Sequence, residues 1–177
     1  MKILVFADVH GNVDGMEAAL RVFSAEKPNK VVFCGDIFGG WSDTERQIAE
    51  LAQRFDVVTY FVRGNNDRAG YDNLLPGGFE EYAVMHHFGR TLFFTHGDRY
   101  NAFRVPPILQ QGDAVVYGHT HVGSLTVKNG LFALNVGSIA RPRDGRPCYL
   151  VLDDGGATLK HRNGTVLYTL PWTSIEK

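Results

Sequence analysis

Residues able to bind metal recur in this 177-residue chain just after short apolar runs. Ile3 to Ala7 is followed by Asp8-Val9-His10, Val31 to Cys34 by Gly35-Asp36, and Val57 to Val62 by Gly64-Asn65-Asn66-Asp67. Thr91 to Thr95 runs into His96-Gly97-Asp98, and Ala114 to Tyr117 into Gly118-His119-Thr120-His121. Imidazole, carboxylate and amide oxygen, with no cysteine among them, suit Mn, Fe, Zn or Mg and not a structural thiolate site. Residues two apart in an extended segment point the same way, so Asp8 with His10, and His119 with His121, are expected to face one site. The set exceeds what one tetrahedral ion needs. It suits two ions roughly 3.5–4 Å apart with a carboxylate between them. Any single motif here is also what a turn or a helix cap would use; the series of five points to metal.

The elements that must carry these residues follow from periodicity. The apolar runs at 3–7, 31–34 and 57–62 read as buried strands. Between the first two, Met16, Ala19, Leu20 and Phe23 are spaced as one face of a helix over 13–25, with Asn12 as N-cap. Between the next two, Ser42-Asp43-Thr44-Glu45 has capping-box spacing and opens a helix with Ile48, Leu51, Ala52 and Phe55 on one face. Strand–helix–strand–helix–strand implies a parallel sheet with right-handed crossovers. In such sheets ligands sit at the carboxyl ends of the strands, where the motifs lie. The second half changes character. Strands are expected at 82–88, 91–95, 114–117, 124–127, 131–134, 148–152 and 165–170, with hairpin turns at Gly89-Arg90, Asn129-Gly130 and Asp154-Gly155-Gly156. Only 106–111 reads as a short helix. Two packed mixed sheets with helices outside accommodate both halves.

Composition sets the frame. With 44% hydrophobic and 21% charged residues, the chain is an ordinary globular protein, and its length suits one domain over 1–177. A net charge of −1 argues against a binder of nucleic-acid polymers that relies on bulk positive charge, but not against a phosphate held through metal. No apolar run approaches the ~18 residues of a membrane span. The N-terminal apolar stretch meets Asp8 too soon for a signal-peptide core, so a cytoplasmic location is expected. Cys34 and Cys148 each border an apolar run and read as buried free thiols.

Taken in order, Asp8-Val9-His10-Gly11-Asn12, Gly35-Asp36, Gly64-Asn65-Asn66-Asp67, Thr95-His96-Gly97-Asp98 and Gly118-His119-Thr120-His121 resemble the calcineurin-like metallophosphoesterases. The resemblance runs to about residue 152. The compact length and Leu134-Asn135-Val136-Gly137-Ser138 are similar to the small bacterial YfcE-type phosphodiesterases. It implies a four-layer sandwich, two mixed sheets flanked by helices, with a dinuclear site at strand ends. By motif match Asp8, His10 and His121 would hold one divalent ion, Asn65, His96 and His119 the other, and Asp36 would bridge them. Manganese is the first expectation, with Fe, Zn, Ni or Mg as alternatives. The implied activity is hydrolysis of small phosphodiesters by hydroxide generated from water on the two ions. A phosphomonoesterase or nucleotide phosphatase on the same site is the alternative enzyme. A non-catalytic protein-binding scaffold, as in a retromer subunit of this architecture, is the alternative of another class. A homo-oligomer is compatible with either.

Departures from the family pattern matter. Many relatives have His after the Gly-Asn pair, where this chain has Asn66. An amide can hydrogen-bond but cannot supply a proton near pH 7, so Asn66, with Asp67 to orient a group there, marks the source of the leaving-group proton as the open question. Val136 stands where relatives often carry proline, which is expected to loosen that turn, and Asp98 where they often carry His. Asp98 is expected to orient a ligand histidine or cap a turn. Ser138 lacks a nucleophile-elbow setting, and Asn135 to Ser138 reads as a structural turn. Arg141, Arg143 and Arg146 read as a solvated loop. Adjacent His86 and His87 point to opposite faces and cannot chelate one ion together. They and His161 are left without a role. Phe38 and Trp41 are candidates for a lip over the site.

Overall fold

The computed structural model describes residues 1–39 and 44–175. Its first sheet has β1 (Ile3–Phe6), β2 (Lys30–Cys34), β3 (Val58–Val62), β9 (Cys148–Asp153), β10 (Gly156–His161) and β11 (Val166–Pro171) in the order β11-β10-β9-β1-β2-β3. β1, β2 and β3 are parallel; β9 joins β1 antiparallel. The second sheet has β4 (Ala83–His87), β5 (Arg90–Phe94), β6 (Ala114–Tyr117), β7 (Ser124–Lys128) and β8 (Leu131–Asn135) in the order β4-β5-β6-β8-β7. There β5, β6 and β8 run parallel while β4 and β7 are antiparallel edges, so both sheets are mixed.

Strand alternation builds two cores from one apolar run. Ile3 and Val5 face the second sheet with Val32, Leu92, Phe94, Val116 and Leu134. Leu4 and Phe6 face outward onto α1 (Val13–Glu26) and α2 (Glu45–Ala52). A strand buried on both faces has no polar side, which is why the motif-bearing runs read as continuous apolar stretches. On the helix side Phe33 is sandwiched by Phe6, Phe55 and Phe61, with ring centroids 5.2–5.3 Å apart. Truncating such a ring costs about 3–5 kcal/mol. Cys34 and Cys148 are buried free thiols, and burial pushes both thiols up.

Asn12 caps α1 as expected, its Oδ1 accepting from Gly15 N at 2.8 Å. Thr44 stands at the N-cap position of α2 but makes no side-chain cap; its hydroxyl donates to Gly11 O instead, and Ser42 and Asp43 of the expected capping box lie outside the described residues. Asn129 and Gly130 both have positive φ, as a two-residue hairpin turn requires. The β4–β5 turn is Phe88-Gly89 and not Gly89-Arg90, because Arg90 is buried in β5, its guanidinium over the rings of Phe132 and Trp172.

The expected helix over 106–111 is absent. The segment forms turns, since Pro106 and Pro107 remove two N–H donors and disfavour a helical residue before them. Ala102 and Leu109 of this loop cover Val115, Tyr117 and Ala133 on the outer face of the second sheet. Among the described residues both α-helices pack on the first sheet. β10 and the 3₁₀ segment Ala69–Leu74 were not delimited from sequence.

Candidate metal centre

The loops following β1, β2, β3, β5 and β6 converge at one end of the two sheets. They are tied before any cation is considered. Asp8 N donates to Gly35 O at 3.1 Å, His10 N to Asp36 O at 2.8 Å, and Gly118 N to His96 O at 2.9 Å. Two glycines allow the closeness. A Cβ on Gly64 would lie 2.2 Å from Asp36 Oδ1, and one on Gly118 would lie 2.6 Å from Asp8 Oδ2. The glycines seat the carboxylates of the neighbouring loops.

Asp8, His10, Asp36, His119 and His121 all have left-handed backbone, with φ of 51–65°. This corrects the expectation that residues two apart converge by strand alternation. The chain leaves the strand and turns at each of these positions, and it is the turn that aims the side chain. Asp and His tolerate this region better than most residues, yet it still costs of order 1–3 kcal/mol each and clusters at functional sites.

The side chains form two groups that meet at Asp36. In the first, His10 Nε2 and His121 Nε2 are 3.0 Å apart and lie 3.5 and 3.3 Å from Asp8 Oδ1. In the second, His96 Nε2 lies 3.0 Å from Asn65 Oδ1 and 3.1 Å from His119 Nδ1. Asp36 Oδ2 is 3.5 Å from His10 Nε2 and 3.4 Å from His96 Nε2. The structure thus brings together all seven side chains singled out as ligands.

The electrostatics call for positive charge. Asp8 Oδ1 is fully buried and has no hydrogen-bond partner. His121 Nδ1 faces Arg141 O at 2.7 Å and His96 Nδ1 faces Cys34 O at 2.9 Å. Carbonyl oxygens only accept, so both protons belong on Nδ1, and both Nε2 lone pairs turn inward. Carboxylate oxygens, an amide oxygen and imidazole nitrogens therefore converge with too few protons to share. That donor set fits divalent cations. Burial disfavours a His96 imidazolium, but Asp36 against it outweighs burial and raises its pKa to about 9: with no cation beside it the imidazole would take up a proton on Nε2, the position whose lone pair a cation would use instead. Burial likewise opposes the Asp36 charge, yet His96 and Asn66 hold its carboxyl well below the usual range.

The other residues singled out from sequence fall in different places. Asn66 holds Asp36: its backbone N and Nδ2 donate to the two carboxylate oxygens at 2.8 Å each. Asp67 does not face position 66. Its carboxylate accepts from Ile37 N, Phe38 N and Gly64 N, so it locks the loop and is turned away from any imidazole there. Burial raises that carboxyl to about 6. Ser138 Oγ donates to Asp8 O at 2.7 Å and accepts from Arg141 N, a structural role. Val136 N donates to Tyr117 O at 2.7 Å, a bond proline could not make, so valine ties this turn and does not loosen it. The arginine loop acts through its main chain: Arg141 O orients His121, and Arg143 N donates to His121 O. Phe38 is fully buried against Tyr71 and is no lip; Trp41 lies outside the described residues. His86, His87 and His161 sit on β4 and β10, outside both groups. Asp98 is exposed on the wall of a neighbouring cleft.

Sequence reasoning missed the carbonyls of Cys34 and Arg141, which carry no residue-type signal. It also missed that cleft, of about 550 Å³, which opens beside Asn65.

Residues 1–155 match the model of the calcineurin-like phosphoesterase superfamily domain. The phosphodiesterase YfcE of Escherichia coli is 30% identical over 169 residues, covering 87% of this chain and 88% of that one. A solved structure of Yfce, a phosphoesterase from E. coli, superposes with a TM-score of 0.88 at 24% identity, over 97% of this chain and 99% of that one. Vacuolar protein sorting 29 of Cryptosporidium parvum shares the fold, with a TM-score of 0.66 at 22% identity over 96% of this chain and 97% of that one. Two mixed sheets, loops with candidate metal ligands at their strand ends and the match over most of the chain lead to one conclusion: the chain belongs to the calcineurin-like phosphoesterase superfamily, the metal-dependent hydrolases of phosphoric esters.

Proposed function

We propose that the chain hydrolyses small phosphodiesters at a centre of two divalent ions. Asp8, His10 and His121 would hold one, Asn65, His96 and His119 the other, with Asp36 shared and manganese the first candidate. The observation that carries this reading is Asp36 Oδ2, which lies within 3.5 Å of a nitrogen from each group while Asp8 Oδ1 stays buried and unpartnered. Two such ions supply an activated water at neutral pH and neutralise phosphoryl oxygens. The protein's own part is placement. Gly64 and Gly118 let the carboxylates seat, Cys34 O and Arg141 O fix two imidazoles, and Asn66 steadies Asp36. Asn66 has no transferable proton, so esters with good leaving groups are favoured. The reading takes 1–177 as one domain, and two thiols kept apart suit a cytoplasmic setting. The name of the E. coli relative supports the choice of diesters, and the ligand groups being complete favours an enzyme over a scaffold.

The test pairs metal analysis with turnover. Two manganese ions per chain, and faster hydrolysis of an aryl phosphodiester than of the monoester with the same leaving group, are expected. One ion or none at saturation, or a monoester preference, would overturn it.

A further inference from the structure

The cleft of about 550 Å³ shares Asn65 with the second ligand group and includes Thr95, the residue before His96. Its volume falls within the ~300–1,000 Å³ range of small-molecule sites. One wall is aromatic. Tyr82 and Tyr100 line the cleft, and buried Phe93 joins them, stacked with Tyr82 at 5.0 Å and edge-on to Tyr100 at 5.6 Å. Tyr82 is left half-exposed. The rest of the lining mixes donors and acceptors: Arg99 pairs with Glu81 at 3.2 Å, and Arg104 and Asp98 add one charge of each sign. Arg63 is spent on the wall itself, bound to Asp72 and to the carbonyls of Asp67 and Arg68. The loop bearing Arg104 is preformed. Asn101 Oδ1 accepts from Phe103 N and Arg104 N, and its Nδ2 donates to Gly97 O beside His96.

A second phosphate would need cations without matching carboxylates. A plain hydrocarbon would leave the paired charges unused. An aromatic wall under a rim of both donors and acceptors fits a planar ring with hydrogen-bonding edges. We propose that this cleft binds the organic group of the phosphodiester and that the group it is shaped for is a nucleoside. The proposal rests on the phosphodiesterase reading, since it places that group beside the ligand centre.

The test compares a nucleoside 5′-monophosphate with ribose 5-phosphate, which carries an anomeric hydroxyl in place of the base. Both are titrated calorimetrically into the manganese-loaded protein and run as inhibitors of bis(4-nitrophenyl) phosphate hydrolysis. The nucleotide is expected to bind roughly tenfold or more tightly, as base stacking on aromatic side chains gives. Tyr100→Ala and Tyr82→Ala are each expected to shrink that advantage, as is Arg104→Ala, an exposed side chain whose removal leaves the aromatic wall in place. Equal binding of the two ligands, or an advantage unchanged in all three variants, would overturn the proposal while leaving diester hydrolysis standing. No turnover of the diester, with the nucleotide still favoured, would overturn the diesterase reading and keep the cleft assignment.

Discussion

Glu26 and Asp8 are acidic residues on the same sheet-and-helix layer, and they are treated in opposite ways. Around Glu26 every side-chain oxygen has a donor: Lys160 Nζ and Tyr149 OH meet Oε1 at 2.7 and 2.9 Å, and Lys2 Nζ meets Oε2 at 3.0 Å. Around Asp8, Oδ2 accepts from His119 N at 2.9 Å and Oδ1 has no partner. The backbone follows the same division. Glu26 ends a regular helix, whereas Asp8 is, among the described residues, one of eight non-glycine residues with positive φ, five of which are the aspartates and histidines of the two candidate ligand groups. A buried charge that the protein satisfies itself belongs to the scaffold. One left short of protons, on backbone strained to aim it, is waiting for something that is not protein.

The largest expected effect separates the two on turnover. In metal-replete protein, Asp36→Asn should lower kcat/KM for an aryl phosphodiester by more than ~100-fold, beyond the range typical of residues one layer out from a metal. The loss should exceed that of His121→Ala, while Glu26→Gln leaves turnover unchanged. Near-normal hydrolysis by Asp36→Asn at full metal content would erase the distinction.

Stability in the presence of chelator should reverse the order. Glu26→Ala strands Lys160 and Lys2 and is expected to cost about 1–3 kcal/mol in urea titration. Asp8→Asn removes an uncompensated charge, keeps an acceptor for His119 N, and puts a residue tolerant of left-handed backbone at that position. It should be neutral or stabilising. A loss at Asp8 as large as that at Glu26 would break the comparison.

A smaller effect lies in acid. Burial opposes the Glu26 charge, but hydrogen bonds from Lys160, Lys2 and Tyr149 hold its pKa below its ordinary 4.5. A depressed carboxyl stabilises the fold above its unfolded value, and that contribution is lost as pH falls through the folded one. Glu26→Gln should therefore flatten the fall in stability below pH ~4.5, measured by thermal melts in chelator. Identical acid limbs would show that the cluster does not sense pH.

Smallest is the change at position 66. Asn66→His adds a group titrating near neutrality and gives up the Nδ2 bond to Asp36. Across esters of graded leaving-group pKa, the rate should fall less steeply in the variant than in the wild type. Equal slopes at equal metal content would place proton supply elsewhere.

What the sequence made legible was periodic or local. Buried strands, the α1 face with its Asn12 cap and the Asn129-Gly130 turn are encoded within a few residues, and the seven side chains that converge at the candidate centre stand out because strand ends mark them. What stayed hidden depends on distant partners. The partners of Glu26 lie 24 to 134 residues away, and no window along the chain contains them. Arg90 reads as a turn residue until Phe132 and Trp172 are seen to flank it. The left-handed turns at Asp8 and His119 had a weak local sign, the residue types that tolerate them, which period-two reasoning overrode. Tyr82 and Tyr100 look like ordinary aromatics until Phe93 joins them.

His10 and His121 stand 111 residues apart in sequence, one after a strand of the first sheet and one after a strand of the second. An ion held by both would close most of the chain into a single loop. Cross-links of that span remove on the order of 4–5 kcal/mol of disorder from an unfolded chain in the entropy model developed for disulfides. Cys34 and Cys148 form no such link. The catalytic ions would then also serve as the covalent staple this chain lacks, with stripping them loosening the seam between the sheets before either sheet itself.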